Sequence, residues 1–154
     1  MQLYNKLSAN ERAILIEKAG NRRITLSFYK YHQIKNTSLF RDHLYLMWEK
    51  LDVLGRIYIA SEGINAQLSM PSQNLNEFKT KLDSIDFLKE IRLNVAVEQD
   101  DFSFLKLKVK IRNKIVADGL SENSFDLSNN GTHVNASEFN TLIENPNTLL
   151  VDMR

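Results

Sequence analysis

Between Lys106 and Lys114 every second residue is a cation: Lys106, Lys108, Lys110, Arg112 and Lys114. Leu107, Val109 and Ile111 stand between them, so the segment alternates with the period of a β-strand. Such a strand packs one face on a core and presents a straight row of positive charge on the other. Alternate side chains on a strand lie roughly 6.5–7 Å apart. Adjacent phosphates of a nucleic-acid strand have a comparable spacing, which lets the row follow a phosphate backbone. Like charges so close repel, and a face that needed only solvent would more often mix signs. The competing explanation is a lysine-guarded edge strand that resists aggregation. The unmixed charge favours an anion-binding face.

A chain of 154 residues makes one ordinary domain, or one domain plus a piece of another. Hydrophobic residues at 43% and charged residues at 25% are those of a globular chain rather than a disordered one. The net charge is only +1, so attraction for nucleic acid has to come from local clustering. Phe104 to Val116 contains the five cations and no acid, whereas Asp83, Asp86, Glu90, Glu98, Asp100 and Asp101 crowd the preceding stretch. The absence of cysteine excludes disulfides, thiolate catalysis and cysteine-ligated metal within these residues. Met1 to Asn10 lacks the apolar core of a signal peptide, and no apolar run approaches the roughly 18 residues of a membrane span. A cytoplasmic protein is expected.

Ser8 followed by Glu11 matches a capping box, and Gly20 stops the short helix that carries Ile14, Leu15 and Ile16. Ile24, Leu26 and Phe28 alternate with Thr25, Ser27 and Tyr29 as a first strand. Thr37 or Ser38 then caps a helix with Phe40, Leu44, Met47, Trp48 and Leu51 at three- and four-residue steps, ended by Gly55. Ile57 to Ala60 and Ile64 to Met70 follow as two strands around Ser61-Glu62-Gly63. A second helix comes after Pro71, capped by Ser72, with Leu75, Phe78 and Leu82 on one face. Ile91, Leu93, Val95 and Val97 alternate as a fourth strand before the basic one. The order is β-α-β-β-α-β, a ferredoxin-like α+β split βαβ sandwich whose antiparallel sheet carries both helices on one face.

This order divides the chain into an N-terminal helical extension over 1–21, a ferredoxin-like domain over 22–118, and a Ser/Asn/Asp-rich linker over 119–134. Residues 135–154 then hold a short helix from Ala136 to Glu144, capped near Asn135, and a buried strand from Thr148 to Met153. That strand has no partner in the sequence, so a fragment of a longer protein is expected.

His32, His43 and His133 show no metal-ligand spacing. His43 reads as a surface or boundary residue of a helix, and His32 ends the first strand near Tyr29 and Tyr31, where it could stack. No Gly-rich phosphate loop, nucleotide fingerprint or Ser/His/Asp constellation is present, and no cofactor site is visible. Glu62 and Asn65 flank Gly63 in a hairpin, which would set a carboxylate and an amide at the rim of the sheet. Ordinary turn chemistry explains the same residues, because Gly supplies positive φ and Asn tolerates it. Phe28, Tyr29 and Tyr31 offer base-stacking surface for an RNA-binding sheet, although strand aromatics more often belong to a core.

The segment Gly55-Arg56-Ile57-Tyr58-Ile59-Ala60-Ser61-Glu62-Gly63-Ile64-Asn65-Ala66-Gln67 resembles a signature of the bacterial rhodanese-related tRNA uridine hydroxylases. Phe104 to Arg112, followed by Lys114-Ile115-Val116, resembles their second signature. Gly131-Thr132-His133-Val134 and Asn147 to Arg154 resemble their linker and the first strand of their rhodanese domain. The resemblance spans Ile24 to Arg154 and leaves the N-terminal helix unmatched.

What the resemblance implies is an oxidoreductase that forms 5-hydroxyuridine at wobble position 34 of tRNA, with molecular oxygen as co-substrate. It implies an acylphosphatase-like N-terminal domain followed by a rhodanese domain that bears a reactive cysteine. The present chain has no cysteine and stops before that loop, so the fragment alone is expected to be inactive. It also carries Tyr29-Lys30-Tyr31-His32 where a true acylphosphatase has its Arg-and-Asn phosphate loop, so acyl phosphate hydrolysis is not expected. On this view Lys106, Lys108, Lys110, Arg112 and Lys114 dock the tRNA, with Gly63 beside them. Glu62 and Asn65 line the rim where a flipped uridine meets the rhodanese domain. The alternatives are a non-catalytic accessory domain that positions a sulfurtransferase on another partner, and a homodimerisation module that uses the open sheet face.

Overall fold

A computed structural model of the chain describes residues 3–20, 22–116 and 131–152. Two compact units divide at Gly119 and Leu120. In the first, α1 (Ala9–Ala19) begins with the expected capping box: Ser8 accepts from the Glu11 backbone, and the Glu11 carboxylate accepts from the Ser8 N–H. Gly20, at φ 60°, ends it in the left-handed conformation. Then follow β1 (Arg23–Tyr31), α2 (Thr37–Glu49), β2 (Leu54–Ala60), β3 (Gly63–Pro71), α3 (Leu75–Asp83), β4 (Asn94–Val95) and β5 (Leu107–Ile111).

The sheet runs β4-β1-β3-β2-β5. Its first four members have the antiparallel order of a ferredoxin-like sandwich, while β5 lies parallel to β2, so the sheet is mixed rather than purely antiparallel. Leu26, Phe28, Ile57, Ile59, Ile64, Ala66 and Leu68 project from one face into the core. There Trp48 of α2 stands edge-on to Phe28 with ring centroids 6.4 Å apart, and Phe78 of α3 lies 5.6 Å from Trp48. Both helices therefore cover one face, as the periodicity predicts.

Several local expectations are corrected. Asn36, not Thr37 or Ser38, caps α2 by accepting from the Leu39 N–H. Helix α2 stops at Glu49, and the left-handed turn falls on Asp52 (φ 52°) rather than Gly55. Aspartate tolerates this region better than most residues. Arg12 and Arg23 each hold the Asp52 carboxylate at 2.8 Å. Gly55 instead lies inside β2, where a Cβ would meet the Gln67 carbonyl and come within 2.7 Å of the Leu68 Cα. Ser72 donates to the Arg22 carbonyl and leads a single 3-10 turn, so α3 starts two residues later than expected, at Leu75.

The fourth strand shrinks to Asn94–Val95 because side chains replace backbone partners beyond it. Gln99 accepts from the Thr25 N–H and Asp101 from the Arg23 N–H, each at 2.7 Å. Val97 projects fully into solvent. The opposite edge is treated alike: the Asn5 amide accepts from Leu107 N–H and donates to Leu107 C=O, at 2.8 and 2.9 Å. The stretch of β1 that β4 leaves bare and the outer edge of β5 are thus both capped by polar side chains, a common device against edge-to-edge association.

The second unit, Leu120–Arg154, contains α4 (Ala136–Ile143), again opened by a capping box, here between Asn135 and Glu138. Residues 148–152 form no strand and are exposed, contrary to the expectation of a buried strand. A strand needs a neighbour to take its backbone hydrogen bonds, and the sheet formed by the described residues does not include this segment. Most of the expected linker lies outside the described residues.

Candidate nucleic-acid interface

Residues that alternate with the core positions face away from the helices. Strand register places Ser27, Gln67, Arg56 and Lys108 side by side in one row across the sheet. The next row holds Tyr29, Asn65, Tyr58 and Lys110. Lys108 and Lys110 are exposed members of β5, as the alternation predicts. Lys106 and Lys114 fall outside the strand and are half-buried, so the five-residue row is shorter than expected. Pairing with β2 nevertheless runs one bond past each end, since Lys106 C=O accepts from Gly55 N–H and Arg112 N–H donates to Ile59 C=O. The Arg112 guanidinium then folds over the Tyr58 ring, 5.4 Å from its centroid.

Arg56 was not singled out by sequence. A lone arginine between Gly55 and Ile57 makes no pattern along the chain. Only the parallel β2–β5 pairing sets it beside Lys108 and turns a line of cations into a two-strand patch. Like charges in lateral register repel, so this patch is held together by the fold and would be relieved by an anion.

Glu62, Gly63 and Asn65 also sit at one end of this face. Gly63 has φ 151°, and a Cβ there would collide with the Lys30 carbonyl of β1, so glycine is required by backbone approach. The Glu62 carboxylate accepts from the Ile115 N–H at 2.8 Å, and the Asn65 amide donates to the Ile115 carbonyl at 3.4 Å. Ile115 itself is 4% exposed. The motif therefore grips both backbone groups of the residue that follows the basic strand. The same turn anchors the loop after β1, because Glu62 and Ser61 carbonyls accept from His32 and Ile34 N–H groups.

Among the proposed stacking aromatics, Phe28 is a core residue, 1% exposed, and is removed from the surface. Tyr29 is 55% exposed, with Tyr31 edge-on at 6.3 Å. The His32 ring lies flat against Phe87 at 4.4 Å, His43 is exposed on α2, and His133 is exposed in the second unit. No group of three or more His, Asp or Glu among the described residues is placed to hold a metal ion. None of the described helices is long and apolar enough to cross a membrane.

At the far end of the face, Arg23 is buried. Its guanidinium bonds the Asp52 carboxylate, the Asp52 and Ser69 carbonyls and the Ser69 hydroxyl. Burial pushes the Arg23 pKa down from its ordinary value, and the Asp52 carboxylate opposes that shift. This corner is a structural clasp that ties α1 to the sheet through Arg12.

The chain is 52% identical over 152 residues to a tRNA uridine(34) hydroxylase of Leptospira interrogans, covering 99% of this chain and 41% of that protein. It is 44% identical over 153 residues to one of Photorhabdus laumondii, covering 99% of this chain and 44% of the relative. The figure for one of Yersinia pestis is 45% over 153 residues, with 99% and 43% covered. The chain thus spans less than half the length of these relatives. The description "UPF0176 acylphosphatase like domain" matches residues 23–115, from the first residue of β1 to the gripped Ile115. On that match, the chain belongs to the UPF0176 acylphosphatase-like domain family.

Proposed function

We propose that this chain is the N-terminal, tRNA-docking part of a tRNA uridine(34) hydroxylase that works in the cytoplasm. The observation that carries the reading is the cationic open face, where Arg56 and Lys108 stand side by side next to Lys110 and Arg112. Lys106, Lys108, Lys110 and Arg112 contact phosphates, and Lys114 extends the row past the strand. Glu62, Gly63 and Asn65 shape the rim by fixing the chain at Ile115. Residues 22–118 are the docking domain and 119–134 the connection, with 135–154 opening the rhodanese domain that the sequence resemblance implies. Oxidation of the wobble uridine, with molecular oxygen as co-substrate, is assigned to the part of the full-length enzyme that supplies the cysteine this chain lacks.

The test is a titration of the chain with labelled tRNA at two salt concentrations, beside a variant carrying alanine at Lys106, Lys108, Lys110 and Arg112. Each phosphate-binding cation removed should make the slope of log affinity against log salt shallower by about 0.7–0.9. Binding that weakens with salt and collapses in the variant supports the docking role. A Lys108→Ala/Lys110→Ala double variant that keeps full affinity overturns it. A mass that rises with protein concentration without RNA would favour the dimerisation module instead.

A further inference from the structure

Between and beside the cations of the open face stand groups that phosphates do not need. Tyr29 is largely exposed, two strands from Tyr58, so the two backbones are about 10 Å apart. Tyr58 bears the Arg112 guanidinium on its ring. Gln67, on the strand between them, is exposed one step down the face. An aromatic ring held in water by a rigid sheet gives up burial it would gain elsewhere. Tyr29 is such a ring, and its edge contact with Tyr31 recovers only part of that burial. Tyr58, by contrast, is half-buried and presents the ring face that carries Arg112.

We propose that this face takes unpaired nucleotides, one base stacking on Tyr29 and another on the Tyr58–Arg112 pair, while Arg56, Lys108 and Lys110 hold the phosphates. This rests on the docking role above and narrows it to single-stranded RNA. In a duplex the bases are already stacked and the groove edges are recognised by shape, so exposed rings on a flat sheet would have nothing to meet. A single strand presents free base faces beside its phosphates, and aromatic rings interleaved with cations on one surface match that alternation. Gln67 lies where its amide reaches a base edge between the two stacking positions.

The experiment compares binding of the chain to an oligouridine and to a fully paired RNA duplex of the same length, at one low salt concentration. Two double variants accompany it, Tyr29→Leu/Tyr58→Leu and Tyr29→Phe/Tyr58→Phe, with circular dichroism to check that each folds. Stacking contributes about 1–3 kcal/mol per base, so each ring removed should weaken oligouridine binding about 5- to 150-fold. The Phe variant should retain affinity, and duplex binding should change little in any variant. A fluorescent purine analogue placed in the oligonucleotide should be quenched by the unmodified chain and not by the Leu variant. Equal affinity of the unmodified chain for duplex and oligouridine would overturn the single-strand assignment while leaving salt-dependent docking intact. A folded Leu variant that keeps oligouridine affinity would do the same. Failure to bind either RNA would overturn the docking role as well.

Discussion

The two faces of the sheet are built from alternate residues of the same strands, yet they obey different constraints. On the helix side Phe28, Ile57, Ile59, Ala66 and Leu68 interlock with Trp48 and Phe78, and each position is fixed by volume. On the other side Ser27, Gln67, Arg56 and Lys108 form a row with no apolar member and two adjacent cations. The first face explains why the chain folds. The second is tolerated by the fold, and the RNA contact proposed above would account for it. A register slip of one residue would exchange the two, so the densely packed side also fixes which groups the open side displays.

Substitutions can break or sharpen this contrast. The largest effect belongs to Trp48→Ala, which should cost about 3–5 kcal/mol in urea unfolding. Tyr58→Ala, on the other face, should stay under about 1 kcal/mol; comparable losses would mean the open face is part of the stabilising core. Next comes Asp52→Ala, which strips the buried Arg23 of its carboxylate and unties Arg12. A loss of about 1.5–3 kcal/mol is expected, as for hydrogen bonds to charged groups.

Glu62→Ala should cost about 1–2 kcal/mol by leaving Ile115 N–H without its acceptor. Amide exchange should quicken at Ile115 while core strand amides stay protected; equal quickening along β2 and β3 would mean the turn stabilises the whole sheet. The smallest effect concerns Glu11, whose carboxyl is held below the ordinary glutamate range by hydrogen bonds from Ser8. A lowered folded pKa stabilises at pH above that range, and the contribution is lost as pH falls through the folded value. Glu11→Ala should therefore lower the melting temperature at neutral pH, and the gap to the unmodified chain should narrow in acid.

Much of the fold was legible because its signals are local. The Ser8–Glu11 box, the Trp48 stripe and the alternation of β1, β3 and β5 are all written within a few residues. What escaped depends on partners far along the chain. Gly55 reads as a helix stop because the reason for it, close approach of Gln67 and Leu68, is visible only once β2 and β3 pair. The fourth strand was overlong because Gln99 and Asp101 look like loop residues until their side chains are seen bonding β1. For the candidate site, the cations of β5 were legible and Arg56 was not, since lateral neighbours across a parallel pair leave no periodic trace. Of the three aromatics near the end of β1, alternation already separates Phe28 from Tyr29 and Tyr31; the core claims the first.

The Asn5 amide that closes the β5 edge has a consequence for how the chain is made. Asn5 leaves the ribosome first and serves Leu107, 102 residues later. At about 5–20 residues per second, synthesis alone separates donor and acceptor by roughly 5–20 seconds. The ferredoxin-like strands β1 to β4 are all complete within that interval, and β2 waits with its outer edge bare. The amino-terminal segment is then a latch that can only shut last, and the time before it shuts is when a nascent chain of this kind is most open to pairing with its neighbours.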